Sequence, residues 1–459
     1  MQTQPSKNFT LHIPLTSTEI KSPGDPLSPI EILIEKLSTV DHSKSKKIRR
    51  RNSRTHAELS NTAVGLREIA KKLGSTTLVW EAPPRTVLIV TKPHDTELIT
   101  LTKNITLWLM SKGLSVLVED KLKDEPAFEY QDLISKISTT NDSDDTLSDE
   151  EDYLSTSPSS TVSKNSESVD RIVSLNFWTQ EYCSNKGSKE VDFVITLGGD
   201  GTVLYAAWLF QDTNGVRPKH INPPPIIPFN LGSLGFLTVF DFENFKKVIK
   251  EILTEEHKVR MNFRMRFQCK VVRHKNEQDD EETLKLKNDD GRIFHILNDL
   301  VVDRGPSPFM SQLLLSGNDK LLTIVQADGL VISTPTGSTA YSLSAGGSLV
   351  HPDVSAILVT PICPHTLSFR PMLLPDTMEL QIKVPQSSRS TAFVSFDGRH
   401  RIQLFKGDSI IINASTSPIP TVCFGDQSED WFLSLEKCLG WNKREQQKSM
   451  TWENKEIVK

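Results

Sequence analysis

The sequence lacks several features that would assign it to a familiar class. It contains no run of about 18 apolar residues, so no segment is expected to span a membrane. Its five cysteines are widely spaced and form no CxxC pair, which argues against a disulfide framework or a structural zinc site and favours a reducing compartment. A formal net charge of -5 argues against a main task in nucleic-acid binding. We therefore expect a cytoplasmic protein without a nucleic-acid or membrane partner.

Two common phosphate-binding motifs are also absent. No Gly-Lys dipeptide occurs, which excludes the phosphate loop GxxxxGK[ST]. The dinucleotide fingerprint GxGxxG fails because Gly199, Gly201 and Leu204 occupy the positions where it needs three small residues. Any nucleotide site in this chain must therefore be built in another way.

What the sequence does contain is a glycine turn, GGDGT at residues 198–202, between a predicted strand at 191–197 and a predicted helix at 203–210. The glycines let backbone N–H groups close around an anion, and the following helix N-terminus favours phosphate. Asp200 would then stand beside the phosphates, where it could take a proton or hold a metal ion. A purely structural turn is the other interpretation, since Gly-Asp-Gly is also good turn chemistry.

The length of 459 residues suggests two to three domains. Residues 1–75 are rich in Ser, Thr, Pro and Lys and are predicted to be a disordered leader. A basic run before Ser53 is either a target for protein kinases or a solvated charged segment. Residues 138–170 are predicted to be a disordered acidic insertion, and residues 274–290 a charged insertion.

The folded part contains two regions with different secondary-structure patterns. Residues 76–256 alternate strand and helix patterns, which predicts an α/β domain with a parallel sheet. Residues 257–426 contain short strand patterns and are predicted to be β-rich; within them, residues 261–271 alternate apolar and polar, typical of one half-buried strand. Residues 427–459 form a predicted helix and tail, and we expect the helix to pack back on the α/β domain.

Three further segments are candidates for ligand binding. NLGSLGFL at residues 230–237 follows the next predicted strand and should lie near the first turn if the sheet is parallel. Tight packing of strand against helix is the other interpretation. Asn298 and Asp299 interrupt an apolar stretch and form an acceptor pair suited to ribose hydroxyls. Residues 328–347 join an apolar strand to a run of hydroxyls suited to a polar ligand. Candidates in the two glycine segments are Gly198, Gly199, Gly201, Thr202, Asn230, Gly232, Gly235 and Phe236.

Taken in order, these segments together with TPICPHTLSFRP and VSFDGR resemble the NAD kinases, particularly the eukaryotic cytosolic type, over about residues 80–441. GGDGT alone is shared in variant form with diacylglycerol, sphingosine and phosphofructo-kinases. The resemblance implies a Rossmann-like α/β domain, similar to that of phosphofructokinase and diacylglycerol kinase, followed by a β-rich NAD-binding domain. It also implies a homo-oligomer, dimer or tetramer, assembled through the β-rich domain.

The implied activity is phosphorylation of the 2′-hydroxyl of the adenosine ribose of NAD, with ATP as donor and a divalent metal, usually Mg²⁺. Asp200 would be the general base, and Asn298 with Asp299 would hold the ribose. Further binding residues implied by the resemblance are Asp328 at the nicotinamide end and Thr339, Ala340, Tyr341 and Ser344 around the adenine and ribose. No metal ligand in the protein can be named. The alternatives are a lipid kinase of the diacylglycerol or sphingosine type and a catalytically silent dinucleotide sensor.

Overall fold

The computed structural model describes residues 77–79, 83–92, 96–131, 133, 173–211, 222–253, 258–274, 289–423, 425 and 427–443. The predicted leader with Ser53 and the whole acidic insertion at 138–170 lie outside the described residues. The same holds for residues 275–288 of the charged insertion.

The described strands and helices form an α/β part and a β-rich part. The strands are β1 Thr77–Val79, β2 Thr86–Thr91, β3 Ser115–Glu119, β4 Leu175–Trp178, β5 Phe193–Leu197, β6 Ile226–Asn230, β7 Phe240–Asp241, β8 Lys258–Arg264, β9 Phe267–Val272, β10 Ile293–Ile296, β11 Asp299–Asp303, β12 Ser311–Gly317, β13 Lys320–Ala327, β14 Gly329–Ser333, β15 Ala356–Ile362, β16 Met372–Pro375, β17 Leu380–Lys383, β18 Ala392–Phe396, β19 Arg399–Leu404, β20 Ser409–Ala414 and β21 Ile419–Val422. The helices are α1 Thr96–Ser111, α2 Gln180–Tyr182, α3 Ser188–Glu190, α4 Asp200–Leu209, α5 Phe245–Leu253, α6 Tyr341–Ser344 and α7 Gln427–Leu439.

The first sheet has the order β1-β8-β21-β6-β5-β2-β3-β4, with β7 beside β6. The neighbours from β6 to β4 are parallel. Every residue of β5 and β6 is buried, as expected where helices cover both faces of a parallel sheet. The predicted parallel α/β architecture is therefore confirmed.

The second half forms two antiparallel sheets of six strands each, in the orders β10-β9-β20-β17-β12-β13 and β16-β15-β14-β11-β18-β19. Apolar side chains of both sheets, such as Phe267, Leu313, Ile332 and Phe396, share one buried cluster. The β-rich prediction for this half is confirmed.

The expectation of one half-buried strand at 261–271 was wrong. The chain forms two strands there, and β8 pairs with β1 and β21 in the first sheet, whereas β9 enters the second. Arg264 and Arg266, expected on a solvent face, are only 6% and 2% exposed. Arg266 is accommodated because Ser417 accepts from it through its carbonyl at 2.6 Å and its hydroxyl at 3.0 Å.

The C-terminal helix α7 packs back on the α/β half, as predicted. Leu435 is buried, and the Ser434 hydroxyl donates to the carbonyl of Gly235 at 3.0 Å. The helix therefore supports the loop that follows β6. Among the described residues, no helix combines the length and apolar character needed to cross a membrane.

Candidate active site

The glycine turn lies at the carboxyl end of β5, as predicted, and α4 begins at Asp200 itself. The first N–H groups of a helix have no acceptor within it. Gly199 and Gly201 are exposed, and the space above both is open. The turn therefore offers backbone donors and room for an anion.

The carboxylate of Asp200 holds the second glycine segment. Its Oδ1 accepts from the backbone N–H groups of Leu237 at 3.0 Å and Thr238 at 3.2 Å, and from the Thr238 hydroxyl at 3.2 Å. Its Oδ2 accepts from Phe236 N–H at 2.9 Å. We call this arrangement of Asp200 with residues 236–238 the Asp200 clasp. Oδ2, with a single donor, keeps acceptor capacity for a further group.

The rest of the second segment divides into residues that shape the clasp and residues that face outward. A Cβ on Gly235 would lie 2.0 Å from Asp200 Oδ1, so the clasp requires glycine there. Asn230 is buried, and its amide donates to Phe240 O at 2.9 Å, which fixes the loop. Gly232 is exposed with open space around it.

Arg264, at the end of β8, lies against the clasp and was missed as a site residue. Its Nη2 donates to Phe236 O at 3.5 Å. Burial lowers the pKa of Arg264, and the nearby charge of Asp200 opposes that shift. A buried positive charge therefore stands close to the Asp200 carboxylate. The only signal in the sequence was an arginine within an alternating strand, which the pattern assigned to solvent.

A second carboxylate builds a matching arrangement in the β-rich half. Asp397 Oδ2 accepts from Leu297 N–H at 2.8 Å, and its Oδ1 accepts from Asn298 N–H at 2.7 Å and Asp299 N–H at 3.1 Å. Its own N–H donates to Asp299 O at 2.9 Å. We call this the Asp397 clasp. Burial raises the pKa of Asp397 to about 6, against the opposing effect of the three N–H donors and of Arg266.

The predicted ribose pair presents unsatisfied acceptors. Burial, followed by the charge of Asp397, raises the pKa of Asp299 to about 7. No described residue donates a hydrogen bond to the Asp299 carboxylate, and the buried Asn298 Oδ1 has no partner among the described residues. Buried acceptors without donors are typical of sites that a ligand completes.

The hydroxyl run after β14 has an inner and an outer side. Three inner hydroxyls are used within the protein: Thr334 Oγ1 donates to Leu297 O at 2.6 Å, Ser338 Oγ to Val350 O at 3.0 Å, and Ser342 Oγ bonds Thr360 Oγ1 at 3.0 Å. The expectation that the whole run serves a ligand is therefore too broad. Of the predicted binding residues in this run, Thr339 and Ala340 are half-buried, and Tyr341 and Ser344 are exposed.

Two features fix this run relative to the ribose pair. Thr334 N–H donates to Asn298 O at 2.9 Å, and a Cβ on Gly337 would lie 2.2 Å from that same carbonyl. The chain therefore approaches Asn298 closely, and only a glycine permits the approach. Because Gly337 lies against Asn298, the segment that follows it, Thr339 to Ser344, begins beside the Asp397 clasp.

Asp328 lies apart from these groups within one chain. Asp328 immediately precedes β14, and Ser333 at the other end of β14 pairs with Asp299. Asp328 and Asp299 are therefore separated by about 17 Å along the strand. Its carboxylate pairs with Arg304 Nε at 2.9 Å.

The two clasps are joined through packing. Leu237 and Leu297, whose N–H groups the two carboxylates bind, belong to one apolar cluster with Val203 of α4. Trp208 of α4 stacks on His400 of β19 with ring centroids 4.7 Å apart. The helix that carries Asp200 is therefore packed on the hairpin that carries Asp397.

A cavity of about 620 Å³ opens at the carboxyl ends of β2, β3 and β5. It is lined by Thr91, Lys92, Glu119, Lys121, Gly199, Gly201, Thr202, Tyr205 and Arg399. The sequence predicted the contribution of the glycine turn but assigned no role to Lys92, Lys121, Tyr205 or Arg399. Among the described residues, no group of three or more His, Cys, Asp or Glu side chains could hold a metal ion.

Comparison with known proteins agrees with this geometry. The model of the ATP-NAD kinase N-terminal domain matches residues 87–257, and that of the C-terminal domain matches residues 297–424. The chain is 41% identical to an ATP-NADH kinase of Saccharomyces cerevisiae over 84% of this chain and 70% of that protein. It is also 41% identical to an NAD(+) kinase of the same yeast, over 87% and 68% respectively.

A solved structure of yeast NADH kinase complexed with NADH is similar with a TM-score of 0.59 and 30% identity, covering 82% of this chain and 93% of that one. None of these matches supports the lipid-kinase or sensor alternatives. The fold, the two clasps and the relatives agree, and the chain belongs to the NAD kinase family.

Proposed function

We propose that this chain transfers the γ-phosphoryl group of ATP to the 2′-hydroxyl of the adenosine ribose of NAD, which yields NADP and ADP. The observation that carries the proposal is the pair of clasps on packed elements. One presents the Asp200 carboxylate, and the other presents the buried, unpartnered Oδ1 of Asn298 beside the carboxyl group of Asp299.

The ribose hydroxyls are bound by side-chain oxygens that accept no hydrogen bond from the described residues. Asn298 Oδ1 and the Asp299 carboxylate accept hydrogen bonds from the ribose hydroxyls, which supplies the donor that the buried Asn298 Oδ1 lacks. Discrimination follows because a ligand without hydroxyls would leave the buried Asn298 Oδ1 unpaired.

Asp200 acts as the general base. As the 2′-oxygen attacks the γ-phosphorus, its proton passes to Asp200 Oδ2, the bond to the β-phosphate oxygen breaks, and ADP leaves. Two features support this role: Oδ2 has only one donor in the clasp, and buried Arg264 stabilises the negative charge nearby.

Further contacts extend the site. The exposed ring of Tyr341 is available to stack on the adenine, beside Thr339, Ala340 and Ser344. The N–H groups of the glycine turn face phosphate, with Gly198 and Thr202 shaping the turn. Phe236, Gly232 and Gly235 belong to the loop that the clasp holds, and Asp328 meets the nicotinamide end.

Mg²⁺ enters as the complex with ATP. The described residues offer no three-ligand cluster, and Mg²⁺ characteristically binds substrate phosphates while it keeps several waters. Bound to the ATP phosphates, the ion would neutralise part of their charge. The residues of the cavity bind and orient the complex.

The protein acts in the cytoplasm as a homo-oligomer assembled through the β-rich half. Support for self-association comes from β13, an edge strand of its sheet, which exposes Leu321, Leu322 and Ile324. The basic run before Ser53, outside the described residues, is a candidate target for protein kinases.

The test is a direct assay. Purified protein with NAD, ATP and Mg²⁺ should form NADP, read by an NADP-specific dehydrogenase, and a chelator should abolish the signal. Absence of NADP with several donors and divalent metals would contradict the proposal.

A further inference from the structure

The C-terminal helix α7 lies against the loop that the Asp200 carboxylate holds, and its side chains donate hydrogen bonds to that loop. We propose that Ser434 and Cys438 of α7 are positioning residues for phosphoryl transfer, because they fix the backbone of residues 234–238 that orients Asp200. This inference rests on the proposed function and gives α7 a role in turnover.

Every backbone N–H group from residue 235 to residue 238 is hydrogen-bonded within the Asp200 clasp. Asp200 accepts from the N–H groups of residues 236–238, and the Thr238 hydroxyl accepts from Gly235 N–H at 3.1 Å. The orientation of the carboxylate therefore depends on where this stretch of backbone lies. Side chains that hold the carbonyls of the stretch fix the carboxylate indirectly.

Two side chains of α7 hold consecutive carbonyls of this stretch. The Ser434 hydroxyl donates to Gly235 O at 3.0 Å, and the Cys438 thiol donates to Leu234 O at 2.9 Å. Ser434 and Cys438 are four positions apart, so they lie on the same face of the helix. Burial, followed by the charge of Asp200, raises the pKa of the Cys438 thiol, which keeps the thiol protonated as a donor.

The helix is itself anchored, so it can act as a rigid support. Leu435 is buried, and the ring of Trp431 meets His351 of the β-rich half edge to face, with ring centroids 5.1 Å apart. Val350, the neighbour of His351, exchanges two hydrogen bonds of 3.0 Å with Ser338. The position of α7 is therefore set by contacts that do not depend on the loop at residues 234–238.

Loss of this support should affect turnover more than NAD binding. A displacement of about 1 Å in a catalytic group can reduce the rate by about a hundredfold. The proposed ribose acceptors, Asn298 and Asp299, lie on the Asp397 clasp and make no use of Ser434 or Cys438. Substitution of the two α7 residues should therefore lower kcat and leave KM for NAD nearly unchanged.

The experiment measures kcat and KM for NAD in single variants of α7. In Ser434→Ala, whose side chain is 1% exposed, kcat should fall about tenfold while KM for NAD stays within about twofold. Cys438→Ala should lower kcat only about threefold, because the thiol is a weak donor and water can replace it at an exposed site. Cys438→Ser keeps a donor and should retain kcat. The matched control is Glu436→Gln, which pairs with Lys443 on an exposed part of the helix and should change neither constant.

A second measurement tests whether Ser434 acts through Asp200. If it does, Ser434→Ala should cause no further loss of kcat in the Asp200→Asn background, measured at high enzyme concentration. A further tenfold loss there would overturn the inference. Unchanged kcat in Ser434→Ala, or an increase in KM for NAD without a fall in kcat, would overturn it as well.

Hydrogen exchange separates this inference from the proposed function. The amides of residues 236–238 should exchange about tenfold faster in Ser434→Ala than in the wild type or in Glu436→Gln. If the wild type forms no NADP, the proposed function fails, whereas equal exchange rates would refute the hold of α7 on the loop. If NADP forms and kcat is normal in Ser434→Ala, only the positioning role fails.

Discussion

The Asp200 clasp and the Asp397 clasp use the same device in different surroundings. In each, a carboxylate accepts hydrogen bonds from three consecutive backbone N–H groups of a neighbouring loop. These belong to residues 236–238 in one case and residues 297–299 in the other. Asp200 is half-buried and borders an open cavity, with a buried arginine nearby. Asp397 stands next to a second carboxyl, Asp299.

The different surroundings of Asp200 and Asp397 indicate different roles for the two carboxylates. A carboxylate beside a phosphate cavity is placed to act on a proton during transfer. A carboxylate that holds a loop and raises the pKa of its neighbour is placed to shape a binding surface. We therefore expect damage to the Asp200 clasp to affect turnover, and damage to the Asp397 clasp to affect NAD binding.

The largest expected effect belongs to Asp200→Asn. An amide cannot accept the ribose proton, so kcat should fall by about a thousandfold while the Kd for NAD changes little. Steady-state kinetics and calorimetry measure the two. The control is Asp192→Asn, which also removes a carboxylate bound to two backbone N–H groups, of Arg85 and Thr86, but at the other end of β5. Near-normal kcat in Asp200→Asn would refute the base assignment.

Gly235→Ala breaks the same clasp without removing the carboxylate. The new Cβ would lie 2.0 Å from Asp200 Oδ1, which displaces the side chain and should reduce kcat by about a hundredfold. Gly232→Ala is its matched control, because nothing lies near a Cβ at that position. Equal kcat in the two variants would show that the clasp does not position Asp200.

Asp397→Asn should act on binding. Its amide nitrogen cannot accept, so at least one of the three N–H groups loses its partner, at a cost of about 1 to 3 kcal/mol in folding free energy. KM for NAD should rise about tenfold while kcat changes less. Urea unfolding and kinetics measure the two effects. A fall in kcat without a change in KM for NAD in Asp397→Asn would contradict the separate roles of the two clasps.

The smallest effect concerns pH. Because its pKa is higher in the folded chain, at about 7, Asp299 binds more protons there than in the unfolded chain, so its contribution to stability decreases as pH rises from about 4 to 7. Asp299→Asn should therefore gain stability over the wild type at about pH 8 and lose that gain at about pH 4.

The same titration should appear in catalysis. Ionised Asp299 accepts from the ribose, so KM for NAD should fall about fivefold between about pH 6 and pH 8 in the wild type. Asp299→Asn should flatten that profile. A profile of KM that is equally steep in the variant would assign the titration to another group.

The sequence predicted the fold where local patterns decide it. The apolar strands before GGDGT and NLGSLGFL and the glycine turns between strand and helix were enough to predict a parallel sheet and the two loops. It could not predict that β8 and β21 join the first sheet, because strand pairing between distant segments leaves no periodic signal. For the same reason Arg264 was assigned to solvent.

Within the site, the residues that sequence found are those with unusual chemistry in their context. Asp200 stands out in a glycine turn, and Asn298 and Asp299 stand out in an apolar stretch. Lys92 and Arg399 are ordinary surface residues in sequence, and only the tertiary structure brings them to one cavity. In the hydroxyl run the sequence predicted too many ligand contacts, because the hydroxyls of Thr334, Ser338 and Ser342 form hydrogen bonds within the protein.

The central claim is that both clasps converge on one ribose. A crystal structure of the protein with NAD and an ATP analogue whose γ-phosphate cannot be transferred tests it directly. We expect the 2′-oxygen of the adenosine ribose to lie about 3 Å from Asp200 Oδ2, with the ribose hydroxyls bound by Asn298 and Asp299. A ribose bound away from either clasp would contradict it.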